Sequence, residues 1–189
     1  MKQFFTLMIL MASCFAASSQ GLVISQVYGA VGNAGATYQA DFVELFNQTT
    51  SPISLSSYSV QYASAAGSSW SKSDLPAVTL QSGQYFLLQM STAGANGIAL
   101  PTPDATATPQ IAMSATAGKV ALVNSTTALS GTQCPPPFVA SIVDYVGYGS
   151  TANCFEGSGP TPNAASSAAS LVRASNGCTD NNDNATDFS

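Results

Sequence analysis

The chain has 189 residues, of which 9 are acidic, 4 are basic and none is histidine, with 7% charged against 46% hydrophobic residues. A formal charge of −5 and a pI near 4.1 exclude a nucleic-acid partner, since a phosphate backbone is held by a basic face. The lack of histidine removes the commonest general base, the Ser-His nucleophile pair and the commonest zinc ligand, and so many aliphatic residues with so little charge exclude a disordered chain.

The first nineteen residues read as a secretory leader. Lys2 supplies a positive start, residues 4–11 (FFTLMILM) a short apolar core, and Ala17 and Ser19 the small residues of a cleavage site. Cleavage after Ser19 leaves one domain, residues 20–189. A competing pattern, Met11-Ala12-Ser13-Cys14, would anchor the protein through a lipid on Cys14. No segment approaches the ~20 apolar residues of a membrane-spanning helix. The expected location is therefore secreted, periplasmic or cell-surface. Without Lys2 the remaining 3 basic and 9 acidic side chains give about −6.

From residue 22 onward the chain reads as short strands between turn-rich loops. Residues 22–28 (LVISQVY) are β-branched and end at a glycine-rich loop. Residues 41–47 (DFVELFN) put Val43 and Leu45 on one face, with Phe42, Glu44 and Phe46 on the other. Period-two alternation continues at 58–62. Residues 78–80, a Gln-Ser-Gly turn and 85–90 (YFLLQM) follow, then 119–124, 139–146 and 170–173. No stretch holds a capped 3.6-residue period. The spacing predicts an all-β, antiparallel sandwich of seven to eight strands, with a core of Val23, Val27, Val43, Leu45, Val60, Leu87, Val120, Leu122, Val143 and Leu171.

Five blocks then carry a resemblance. DFVELFN (41–47), YSVQYA (58–63), LQSG with YFLLQ (80–89), VDYVGYG (143–149) and SLVRASNGCTDNNDNATDF (170–188) occur in the order seen in the lamin-tail domain family, and together they span 21–189. The resemblance implies an immunoglobulin-like β-sandwich. It also implies, from the family's bacterial members, an exported interaction or tethering module with no catalytic residues to carry over. The expected partner is a protein or glycan at the cell surface. The alternatives are a carboxylate- or metal-dependent secreted hydrolase and a structural cell-surface protein. Against a hydrolase stand the missing histidine, the lack of a nucleophile motif and the few carboxylates.

Individual residues add further expectations. Glu44, in an apolar strand, needs a partner, and Arg173 is the single arginine, so a structural Glu44–Arg173 ion pair is expected. Asp180, Asn182 and Asn184 alternate as oxygen ligands do in a calcium loop, although Ala185 stands where that loop needs glycine. No other cofactor is expected. Trp70, Tyr58 and Tyr62 are candidates for an aromatic platform. Export leaves Cys134, Cys154 and Cys178 in an oxidising compartment, with three possible pairings. If VDYVGYG pairs antiparallel with SLVR, Cys134 and Cys178 share one end of the sandwich, and a Cys134–Cys178 bridge leaves Cys154 over.

Overall fold

The computed structural model describes residues 21–134, 139–162 and 168–189. The expected leader and Cys14 lie outside the described residues. The strands are β1 (Leu22–Tyr28), β2 (Phe42–Asn47), β3 (Ile53–Ser54), β4 (Ser59–Ser64), β5 (Ser71–Asp74) and β6 (Thr79–Leu80). They continue with β7 (Tyr85–Gln89), β8 (Ala105–Thr106), β9 (Gly118–Val123), β10 (Ile142–Tyr148) and β11 (Leu171–Val172). One sheet runs β11-β1-β2-β7-β8 and the other β10-β9-β4-β5, with a small β3-β6 ribbon beside them. Pairing is antiparallel except between β7 and β8.

Alternation builds the core. Val43 and Leu45 of β2 face the second sheet, and the β2–β7 register sets Leu88 opposite Val43 and Phe86 opposite Leu45. Phe86, Leu88 and Met90 therefore point inward to meet Val60, Val120, Leu122 and Val146. Each such side chain contributes roughly 1.5–3 kcal/mol relative to exposure. Leu87, expected in this core, sits half-buried on the outer face, because its parity follows β2 rather than the apolar run around it. A bulge between Ile24 and Gln26 lets β1 present Leu22, Ile24 and Val27 to the same core. Val23 is fully buried but outside that cluster, and Val143 is only half-buried against it.

Three other expectations change. The strand read at 139–146 is Ile142–Tyr148, and Val139 is exposed. The polar strand β5 (SKSD) was invisible to hydrophobic patterning because it lies at an edge and buries only Ser73. Most consequentially, SLVR pairs with β1, Val172 opposite Gln26, and not with β10. With that register gone, the Cys134–Cys178 bridge is not formed. Cys134 is bonded to Cys154, their Cα atoms 5.3 Å apart, and none of the three described cysteines is a free thiol. The bridge lies against the outer face of the second sheet, where Ala121, Val123, Tyr145 and Trp70 pack.

Candidate functional site

Arg173, the residue after β11, is fully buried. Its backbone N–H donates to Ser25 O, and its Nε donates to Ile24 O at 2.9 Å, so it completes the bulge of β1. Nη1 donates to Asp180 Oδ1 at 2.9 Å and to Thr179 O. Nη2 lies 2.9 and 2.7 Å from the two oxygens of Asp144. Asp187 stands 3.5 Å from Nη1, and the Phe188 ring covers the guanidinium at 4.6 Å. Glu44 is not among these partners: it accepts from Ser25 Oγ at 2.7 Å on the outer face of the sheet. The expected Glu44–Arg173 pair is corrected to Asp144–Arg173, since Arg173 turns toward the second sheet while Glu44 points away from it.

Glu156 joins the same cluster. Burial, and then the charge of Asp144, push its carboxyl up to about 9, and its protonated form donates to Asp144. Burial also raises Asp180, followed by the charge of Asp144. Oxygens of Asp144, Glu156 and Asp180 lie within 4.8 Å of one another. The cation among them is the guanidinium itself, and burial of so many acids is tolerable because Arg173 offers a rigid fork of donors.

The calcium residues take separate roles. Asp180 serves Arg173. Asn182 is exposed and has a left-handed backbone (φ 53). Asn184 is fully buried: its Oδ1 accepts from Gly147 N (2.8 Å) and Glu156 N (3.1 Å), and its Nδ2 donates to Tyr145 O (2.8 Å). It thus stands in for a neighbouring strand on the free edge of β10. Gly147 permits this crowding, because a Cβ there would collide with the Cys154 carbonyl. Asp187 accepts from Asn181 N and Asp183 N, which closes the C-terminal turn. Sequence reasoning missed Asp144 and Glu156. Asp144 alone gave a signal, as a carboxylate inside an apolar strand.

The aromatic trio does not assemble either. Tyr58 and Tyr62 pack against the intersheet core, while Trp70 lies on the outside of the second sheet. There Trp70 donates to Gly131 O, and the Lys119 ammonium sits 5.6 Å from its ring. The outer face of the first sheet is different in character. Tyr85, 43% exposed, stacks on Phe46 at 4.5 Å and donates its hydroxyl to Asn176 O. Glu44 and Leu87 are cross-strand partners beside it. Asp104 lies at the strand edge, its Oδ2 accepting from Leu87 N at 2.8 Å. Burial, and then the Asp104 charge, raise the Glu44 carboxyl. A groove of about 520 Å³ opens next to these groups, lined by Val78, Thr79, Gln84, Tyr85 and Asp104.

No helix among the described residues is long and apolar enough to cross a membrane. No curated protein matches the chain. The family model of the lamin tail domain matches residues 16–150, which include β1 to β10 and Asp144 and stop short of Arg173. With a match over most of its length and a two-sheet, immunoglobulin-like sandwich, the chain belongs to the lamin tail domain family.

Proposed function

We propose that the protein is an exported, non-catalytic interaction module whose partner is a protein or glycan outside the cell. The observation that carries this reading is the fate of its carboxyl groups. Paired acid–base chemistry needs two carboxyls open to a substrate, and the cluster of Asp144, Glu156 and Asp180 is buried and occupied by Arg173. The exposed Asp104 and Tyr85 and the half-buried Glu44 of the first sheet instead form a surface suited to docking. Export is supported by the leader pattern before Ser19 and by the Cys134–Cys154 disulfide, a bond that persists in oxidising compartments.

Peptide and glycan arrays probed with purified residues 20–189 test the reading, with binding to a restricted set of features expected. Hydrolysis of ester, glycoside or phosphodiester substrates, lost in Glu156→Gln, would overturn it. Cell fractionation with N-terminal sequencing tests export. A product retaining Lys2 in the cytoplasm would count against it.

A further inference from the structure

The sheet edges of this sandwich are treated unequally. β11 is covered by the end of the chain, Val172 and Ser189 exchanging N–H···O bonds at 3.1 and 3.0 Å. β10 is covered by the Asn184 side chain and by Thr161 N donating to Gly147 O. β5 carries the exposed Lys72–Asp74 pair, and Ser73 Oγ accepts from Thr108 N. Charge and side-chain caps of this kind are what keep an edge from recruiting a strand.

The edge of β7 is left open along part of its length. Asn47 N donates to Gln84 O and Met90 N to Asp41 O, so the even-numbered residues of β7 bond to β2. The odd-numbered ones face the other way. Gln89 accepts there from Ala107 N, and Leu87 exchanges bonds with the main chain and carboxylate of Asp104. Tyr85 comes next in that row, and no described residue pairs with its N–H or C=O. The ladder ends there for a chemical reason. In the parallel register of Leu88 with Ala105, Pro103 falls opposite Phe86, and proline has no N–H and a fixed φ. This open position at Tyr85 adjoins the groove that Tyr85 and Asp104 line.

Charge points to the occupant. Glu44 and Asp104 flank this stretch, and every described basic side chain is engaged elsewhere. Lys72 holds Asp74, Arg173 holds its own acids, and Lys119 is buried under three oxygens and Trp70. We propose that the open edge of β7 at Tyr85, with Glu44 and Asp104 beside it, takes an extended cationic segment of a partner protein as an added strand. The main chain supplies the pairing and the two acids select alternate Lys or Arg side chains. This deepens the interaction-module reading and rests on it.

The probe is a labelled eight-residue peptide of alternating Lys and Val, followed by fluorescence anisotropy against residues 20–189. Binding is expected. It should weaken about tenfold when alternate amides of the peptide are N-methylated, a change that removes edge hydrogen bonds without touching the protein. Replacing Lys by Glu in the peptide should abolish it, and Glu44→Gln with Asp104→Asn should weaken it. Tyr85→Pro, placed where the N–H bonds to nothing in the ladder, should lose binding, whereas Tyr85→Leu, which removes the same Phe46 stack and Asn176 bond but keeps the N–H, should retain it. Equal binding of the methylated peptide, or no binding of the cationic one, overturns the proposal. If array partners still bind in that case, the interaction-module reading stands; if nothing binds, it falls as well. Self-association by sedimentation that disappears in Tyr85→Pro would assign the edge to a second copy instead.

Discussion

Arg173 Nη2 meets both carboxylate oxygens of Asp144, at 2.9 and 2.7 Å, and the contact joins the two sheets of the sandwich. Arg173 belongs by its backbone to the first sheet, where it pairs with Ser25, and Asp144 belongs to β10 of the second. Asp144 also accepts from Ile24 N at 2.6 Å, so its carboxylate closes the open side of the sandwich from both ends of the ion pair.

Removing one partner of this pair leaves the other buried and uncompensated. Arg173→Ala is expected to cost about 3–5 kcal/mol in urea unfolding. Arg173→Lys should recover little of it, because a point ammonium cannot reach Ile24 O, Asp180 and Asp144 together. A loss under about 1 kcal/mol would mean the clamp is not formed in solution.

Glu156 makes stability depend on pH in an unusual direction for a carboxyl. Its folded value near 9 lies above its ordinary 4.5, so between those values the native state holds a proton that the unfolded chain has released. Stability then falls as pH rises through this window. Glu156→Gln, which imitates the protonated carboxyl, should flatten that fall and be the more stable protein at pH 8. Parallel melting curves of the two proteins from pH 5 to 9 would expose the assignment as wrong.

Asn184 covers the edge of β10 with three of its amide contacts. Asn184→Ala should cost about 2–3 kcal/mol, since two buried N–H groups and a C=O lose their partner together. The same engagement leaves its oxygen no lone pair to spare for a cation. Calcium and a chelator are therefore expected to give the same melting temperature, and a calcium-dependent rise of several degrees would restore the calcium-loop reading of Asp180, Asn182 and Asn184.

Non-reducing peptide mapping should recover Cys134 joined to Cys154. Their separation is 20 residues, for which the chain-entropy estimate of the bridge's contribution is about 3 kcal/mol. Cys154→Ser should lower the unfolding midpoint accordingly and loosen Trp70, readable as a shift in its fluorescence. A Cys134–Cys178 peptide would restore the register in which SLVR pairs with β10.

Much of the fold was legible because strand alternation is a local property of the chain. Val43, Leu45, Val60, Val120, Leu122 and Leu171 face the core as their period-two spacing requires. Leu87 was misassigned because YFLLQ is apolar on both faces, so its parity was decided by the pairing with β2 and not by its own pattern. That Arg173 pairs with a buried acid was expected from Glu44 needing a partner and from Arg173 being the single arginine. Which acid it took could not be read this way, because four of the chain's carboxyls converge on it from segments up to 43 residues apart along the chain.

The sequence by itself determined a β-sandwich, an acidic composition and the resemblance to lamin-tail domains, since composition, alternation and motif order need no knowledge of distant contacts. Only the tertiary structure decided that β11 lies beside β1, that Asp144 holds Arg173, that Cys134 joins Cys154 and that β7 keeps an open edge at Tyr85. Each of these depends on the register between strands far apart in the chain. A bulge at Ser25 or a proline at 103 shifts that register, or ends it, without leaving a mark on the hydrophobic pattern.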